Sequence, residues 1–329
     1  MVHTWMPLAY KSWLQLLLSL MLPFFIYPIK DAFILDGVLI TLSILFLLPI
    51  KYPFKYFVSL GALALTMLLY WLMGPHWEAA GLLTIAGSFF MFRGLVYLYD
   101  ESNGLAKGTI IDKVNYFLSF SNHTASLYPI LDSSVIYKSY YRKKAIQIYR
   151  KGILLMLTAI LQFMLYRVLY YYVIPDPTLL HGLSQVIKFL FINFLLVLRI
   201  VAIFHFSVAS LMIAGYDLDP IFRSFYFANS FSDLWKRINI YWKDFVVKLI
   251  YYPIFFKIKR KNVNRAIIVA TFLSFIISWW LHSWQWFWLK GTFPITVIDA
   301  IFWLLFGSLV TFNTWETLQK KRTAHKKLS

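Results

Sequence analysis

The chain has 329 residues, of which 60% are hydrophobic, 20% aromatic and only 14% charged. Soluble domains have about 45–50% apolar and about 25% charged residues, so this composition excludes an ordinary soluble enzyme or binding domain. The formal net charge is +18. Because the basic residues lie in short loops between apolar blocks, a nucleic-acid-binding surface is a poor explanation for it. The chain has no cysteine, which excludes disulfides, thiolate metal sites and a cysteine nucleophile.

The apolar residues are concentrated in blocks close to the length of about 20 residues that crosses the hydrocarbon core of a bilayer. We therefore predict an all-α fold, a polytopic bundle of about eight transmembrane helices with additional re-entrant or interfacial amphipathic helices. The first block has no small-residue cleavage pattern after it, so we expect it to be retained as a span. The predicted spans are Ser12–Ile29, Phe33–Ile50, Tyr56–Gly74, Ala79–Tyr99, Gly152–Ile174, Gln185–Ala214, Ile267–Leu289 and Pro294–Phe312.

The length predicts a single integral membrane domain over residues 1–329. Its parts are the N-terminal spans (12–99), a cytoplasmic or re-entrant segment (100–151), a core (152–314) that contains the candidate catalytic segment (225–291), and a basic cytoplasmic tail (315–329). With alternating spans, the most basic loops all fall on one side, as the positive-inside rule requires. Both termini are then cytoplasmic.

Ionisable residues inside the predicted spans are candidates for function because they are costly there. Arg93 and Arg167 lie near span ends, where they can reach the interface by snorkelling. Arg199 and His205 lie deeper, in a block long enough to be kinked, and could face a polar interior or contact a substrate. We find no Asp or Glu in mid-span, Asp299 being the nearest, and this counts against a proton-coupled transporter.

An amphipathic segment spans Phe231–Pro253. Its apolar residues recur at steps of three and four and predict one helical face, typical of an interfacial or shallow re-entrant helix. They are Phe231, Trp235, Ile238, Trp242, Phe245, Leu249 and Tyr252. Asn239 leans toward the tryptophan side of this helix. A buried amide needs a hydrogen-bonding partner, either in another helix or in a substrate.

A second candidate lies in the predicted span Ile267–Leu289, where polar residues follow one another at steps of three or four. They are Thr271, Ser274, Ser278, His282 and Gln285. Such a stripe should face the protein interior or a water-filled cavity rather than lipid. His282 is then a base with a neutral-range pKa in a sheltered position. Although a lone histidine is more often structural, the polar stripe favours catalysis.

The stretch Phe231-Ser-Asp-Leu-Trp-Lys-Arg-Ile-Asn-Ile-Tyr-Trp-Lys-Asp-Phe, followed by the histidine of Leu281-His282-Ser283, resembles the membrane-bound O-acyltransferase superfamily (MBOAT), in its bacterial type. Members have Asn or His at the position of Asn239 and a near-invariant histidine at the position of His282. This sequence has Leu-His-Ser where bacterial polysaccharide acylators usually have Trp-His-Gly. The resemblance covers about residues 225–291.

The resemblance implies transfer of an acyl group, with acetyl as one candidate, from a cytoplasmic thioester to a hydroxyl of an envelope glycan or exopolysaccharide. His282 and Asn239 are then catalytic, and we expect Trp235, Trp242, Ser278 and Gln285 to bind substrate. The donor would be acyl-coenzyme A or an acyl carrier protein, with no bound cofactor or metal. The other expected partners are membrane lipids, with a soluble extracytoplasmic acyltransferase as a further candidate, and we expect no nucleic acid. The resemblance also implies a bacterial inner membrane as the location.

Three alternatives remain open from the sequence, and one of them is a non-catalytic membrane scaffold. The acceptor could be a lysolipid or another lipid alcohol. In a different class, the chain could be a transporter or flippase for an anionic lipid-linked substrate, with Arg199 and the basic loops as its binding groups.

Overall fold

The computed structural model describes residues 6–51, 53–73, 92–118, 130–290, 293 and 295–328. In these ranges the chain is helical, with no strand beyond one antiparallel bridge between Tyr140 and Tyr216. The prediction of an all-α fold is therefore confirmed. Most of the predicted span Ala79–Tyr99 lies outside the described residues, as do positions 119–129 of the predicted cytoplasmic or re-entrant segment.

Four helical stretches are long and apolar enough to cross a membrane: Ala145–Val173, Leu183–Ile213, Val263–Phe287 and Val297–Lys320. They overlap the last four predicted spans and agree with the prediction of a membrane protein. Shorter apolar helices cover Tyr10–Ile26 and Phe54–Leu68. The total of eight spans stays a prediction.

The described residues form a succession of helices. In chain order they are α1 (Leu8–Ile26), α2 (Ile29–Leu47), α3 (Phe54–Met73), α4 (92–102), α5 (Ile110–Leu118), α6 (Ser133–Ser139), α7 (Ala145–Val168), α8 (Leu183–Leu195), α9 (Leu198–Ile213), α10 (Phe231–Arg237), α11 (Ile240–Val246), α12 (Tyr252–Ile258), α13 (Val263–Lys290) and α14 (Val297–Leu328). Turns of π-helix extend α7 over Leu169–Val173 and join α11 to α12 over Val247–Tyr251.

The chain divides into two compact units. The first comprises residues 1–126, 130–137 and 224–329, and the second comprises residues 127–129 and 138–223. Both predicted catalytic residues belong to the first unit. The single domain expected over the whole chain stays a prediction.

In the first unit, α1, α2 and α5 pack on one another. The side-chain amide of Asn115 on α5 donates to the backbone oxygen of Ser12 on α1 at 2.8 Å. Asp36 lies near the middle of α2 and is 7% exposed, and no described residue binds its Oδ1. This helix begins at Ile29 instead of Phe33. It is not one of the four stretches that are long and apolar enough to cross a membrane, so the absence of a carboxylate in mid-span stays a prediction.

Arg93, on α4, is buried at 1% exposure. One of its guanidinium nitrogens donates to the backbone oxygen of Tyr116 at 2.7 Å, and the guanidinium lies over the ring of Tyr116 at 5.5 Å. The hydroxyl of Tyr116 in turn donates to the backbone oxygen of Leu131 at 2.9 Å. The prediction that Arg93 reaches the interface by snorkelling is therefore wrong, because a carbonyl and an aromatic ring of α5 bind its guanidinium inside the protein.

The second unit is built on the packing of α7 against α9. Gly152 makes this packing possible, because a Cβ there would lie 2.8 Å from the Cβ of Met212. His205 is buried in α9, and its Nδ1 lies 3.0 Å from Oε1 of Gln162 on α7. This contact agrees with the expectation that His205 faces a polar interior. The over-long predicted block Gln185–Ala214 is interrupted between α8 and α9, in agreement with a kink.

Basic side chains meet one carboxylate in the second unit. Asp217 is buried, and it accepts from Arg142 at 2.7 Å, Lys143 at 3.0 Å and Lys151 at 3.4 Å. Burial alone would raise the pKa of Asp217, but the bonds from Lys143 and Arg142 and the charge of Lys151 lower it below the ordinary value. This contribution to stability is therefore present above the ordinary carboxyl pKa and is lost as the pH falls through the lowered one.

A buried ion cluster in the first unit holds the π-helical turn after α11. Lys248 forms ion pairs with Asp100 at the end of α4 and, at 2.8 Å, with Asp132 just before α6. Asp100 is fully buried and also accepts from the backbone N–H and the hydroxyl of Ser133. Burial raises the pKa of Asp132 in spite of the bond and the charge of Lys248.

Replacing Lys248 by Met tests this cluster. The substitution leaves two carboxylates without their cation, and loss of one partner of a buried pair costs about 3–5 kcal/mol. The control is Lys320→Met, because Lys320 pairs with Glu316 at an exposed surface, where such pairs contribute about 0–1 kcal/mol. Thermal unfolding in detergent should show a lower midpoint for Lys248→Met alone. Equal midpoints for the two variants would contradict the cluster's role.

Candidate active site

The amphipathic segment is broken at Asn239. α10 ends at Arg237, and α11 begins at Ile240. Asn239 between them has φ 39° and ψ 67°, in the left-handed region that asparagine tolerates better than most residues. Its Oδ1 accepts from the backbone N–H of Trp242 at 3.2 Å and so caps α11. The single continuous helical face predicted for this segment is therefore wrong.

The part of the segment that follows Asn239 is buried in the protein. Ile240, Tyr241, Trp242, Phe245 and Val246 are all buried. A shallow interfacial helix would leave its polar half exposed to solvent. α10 fits this description better than α11. Because α11 is buried, it contacts α13, the helix that contains His282.

Trp242 joins this segment to α13. Its indole N–H donates to Oγ of Ser278 at 2.7 Å, and both side chains are buried. The indole ring lies 4.5 Å from the imidazole of His282, with an angle of 35° between the planes. Trp242 thus contacts His282 through its ring and Asn239 through its backbone N–H, so one residue links the segments of both predicted catalytic residues.

A second indole reaches His282 from α14. The ring of Trp303 lies 5.0 Å from the imidazole, with an angle of 34° between the planes. The two helices come close near this contact, because a Cβ on Gly307 would lie 2.8 Å from the Cβ of Phe275. The sequence analysis did not find Trp303. Its only sequence signal is its position one turn before a glycine in the last apolar block.

The imidazole itself is half-buried, and within the described chain it makes no hydrogen bond. The other polar members of the stripe behave differently. The hydroxyls of Thr271 and Ser274 donate to Ile267 and Ala270 of their own helix. Such local bonds satisfy a hydroxyl in an apolar environment, whereas neither ring nitrogen of His282 is bound to a described residue.

The remaining predicted substrate-binding residues lie beside this centre. Trp235 packs on Phe275 at 4.6 Å and on Phe306 at 6.3 Å, which places it among aromatic rings between α10, α13 and α14. Gln285 is half-buried one turn beyond His282 on α13. Within the described chain, neither Trp235 nor Gln285 shares a hydrogen bond or a ring contact with Trp242 or His282. Ser278 lies in the site, but its oxygen already accepts from Trp242.

Phe92 completes the surroundings of Trp242. Its ring meets the indole edge to face at 5.4 Å and the ring of Phe245 at 5.5 Å. Offset and edge-to-face pairs of this kind are favourable, so the indole is held by contacts on several sides. Within the described ranges no group of three His, Asp or Glu side chains could hold a metal ion.

This arrangement can perform acid–base chemistry. An imidazole with free nitrogens can take a proton from a hydroxyl, and an asparagine amide nearby can donate to a developing oxyanion. Comparison of the sequence with models of known protein families gives no match, and no curated protein matches it.

Ser278→Ala tests the bond that positions Trp242. The variant leaves a buried indole N–H without an acceptor, which costs about 1–3 kcal/mol. Ser274→Ala is the matched control, because Ser274 lies one turn earlier on the same helix, is also buried, and bonds only to that helix. We expect a lower thermal midpoint for Ser278→Ala than for Ser274→Ala. The same midpoint in both would mean that the bond does not stabilise the site.

Proposed function

We propose that this protein is a membrane-bound O-acyltransferase. It transfers an acyl group from a cytoplasmic thioester, acyl-coenzyme A or an acyl carrier protein, to a hydroxyl of an envelope glycan or exopolysaccharide. The observation that carries the proposal is the contact of His282 with Trp242, whose backbone is capped by Asn239. This contact joins the two segments on which the resemblance to the MBOAT superfamily rests.

In the proposed reaction His282 is the general base. It takes the proton of the acceptor hydroxyl while the oxygen attacks the thioester carbonyl, and the C–S bond breaks as the C–O ester bond forms. The imidazolium then returns the proton to the leaving thiolate. A positioned base of this kind contributes about 10²–10⁴-fold. A sheltered site also disfavours hydrolysis of the thioester by water.

Asn239 has one group left for the substrate. Its Oδ1 is occupied by the backbone N–H of Trp242, and the described residues provide no further bond to its side chain. The Nδ2 donors are therefore available to bind the oxygen of the thioester carbonyl as it becomes an oxyanion. A preorganised donor of this kind contributes about 10²–10³-fold.

The proposal includes the finer features of the fold. The protein would have eight spans in an MBOAT-like bundle, with both termini on the cytoplasmic side of a bacterial inner membrane. Basic residues between α12 and α13 would then face the cytoplasm and attract an anionic donor. A lysolipid or another lipid alcohol is the alternative acceptor.

The first experiment removes the base. Membranes that contain the wild type, His282→Ala or His181→Ala are supplied with radiolabelled acyl-coenzyme A, and label in glycan and lipid fractions is counted together with released thiol. His181 is an exposed histidine and serves as the control. We expect His282→Ala to lose at least about 10²-fold in transfer, with His181→Ala unchanged. Undiminished transfer by His282→Ala would refute the assigned base.

The second experiment separates the two roles of Asn239. Asp at this position can still cap α11 and tolerates the left-handed conformation, but its carboxylate cannot donate. We expect Asn239→Asp to fold with the wild-type thermal midpoint and to lose about 10²–10³-fold in turnover. Asn239→Ala removes the cap and introduces a residue that disfavours the left-handed conformation. This variant should therefore also be less stable by about 1–3 kcal/mol. Full turnover by Asn239→Asp would remove the amide from the mechanism.

A transporter or flippase for an anionic lipid-linked substrate is the second candidate, and the burial of Asp36 in α2 favours it. A carboxylate with an unpaired oxygen in an apolar helix is typical of proton or ion pathways. Transport predicts counterflow in proteoliposomes without any thioester, and loss of counterflow in Asp36→Asn. Release of coenzyme A thiol that depends on His282 would favour the acyltransferase instead.

A further inference from the structure

The imidazole of His282 lacks the partner that usually orients a catalytic histidine. In most such sites a carboxylate or carbonyl binds the second ring nitrogen, fixes the tautomer and stabilises the imidazolium. Around His282 the described residues offer neither, because the ring takes part in no hydrogen bond or ion pair among them. The contacts that the described residues do make with the ring are aromatic.

Two aromatic rings are in position to hold the imidazole and stabilise its charge. The centroids of Trp242 and Trp303 lie 4.5 Å and 5.0 Å from the imidazole, at interplanar angles of 35° and 34°. At these angles the ring pairs are tilted and not edge to face. A cation within about 6 Å of an indole face is attracted by the ring quadrupole, and the attraction is strongest where water is excluded.

We infer that Trp303 is a positioning residue for His282: together with Trp242 it holds the imidazole between aromatic rings and stabilises the positive charge that the ring gains on taking a proton. The inference rests on the proposed function. It concerns a charge that exists in the transition state and not in the resting enzyme, so Trp303 should affect turnover rather than binding of the donor.

Local packing explains why Trp303 can reach the histidine. Gly307, one turn further along α14, lets this helix approach α13 until it touches Phe275. Trp303 makes no hydrogen bond within the described chain, whereas Trp242 is bound to Ser278. Substitution of Trp303 therefore removes the ring contact without leaving a polar group unsatisfied, which makes it the better of the two indoles to test.

The experiment compares Trp303→Leu, Trp303→Phe and Trp315→Leu with the wild type and with His282→Ala. Leucine keeps an apolar side chain but has no aromatic face, and phenylalanine keeps the face. Trp315 lies on the same helix, is 46% exposed, and is the matched control. For each full-length protein in membranes, kcat and the KM for acyl-coenzyme A are measured from thiol release, and folding is checked by the thermal midpoint.

We expect Trp303→Leu to lower kcat by about 30-fold, the factor that corresponds to a cation–π contribution of about 2 kcal/mol, with little change in KM. Trp303→Phe should recover most of this loss, and Trp315→Leu should equal the wild type. If Trp303→Leu misfolds, a Trp303→Phe variant that is folded but as impaired as His282→Ala would overturn the inference.

The outcomes separate the inference from the proposed function. Activity that is abolished in His282→Ala but equal in Trp303→Leu and Trp315→Leu would overturn the role of Trp303 and leave the acyltransferase intact. A rise in KM with unchanged kcat would also overturn it, since that pattern indicates substrate binding. Absence of transfer by the wild type would overturn both.

Discussion

The indole of Trp242 is the contact on which the candidate site depends. The indole N–H donates to Ser278, the indole ring contacts His282, and the backbone N–H donates to Asn239. Each of these bonds uses a different part of one residue, so none competes with another. Two segments that lie about 40 positions apart in the sequence are thereby fixed to each other, one supplying an amide and the other an imidazole.

Such a contact needs a rigid support, and buried charge provides it. The π-helical turn that follows Trp242 is held by Lys248 between Asp100 and Asp132. Charges in an apolar interior are costly unless they are fully paired, which restricts the number of ways in which these elements can pack. Specificity of arrangement, more than net stabilisation, is then what the ion cluster contributes to the site.

Sequence composition and periodicity were sufficient to predict an all-α protein and the last four apolar helices. Steps of three and four placed Ser278 and His282 on one buried face of a long apolar helix, and composition alone indicated the membrane. Prediction from periodicity failed where one residue interrupts the helical repeat, as at Asn239, whose left-handed backbone ends α10. It also failed for contacts between distant segments, because nothing in an apolar block distinguishes Trp303 from a lipid-facing tryptophan or Arg93 from a snorkelling one.

The left-handed conformation of Asn239 restricts which residues the position can accept. Besides glycine, only Asn, Asp and His are notably enriched in this region of backbone space. An exchange of Asn for Asp or His at position 239 therefore changes the chemistry of the side chain, while the turn and the two helices that it joins keep their backbone.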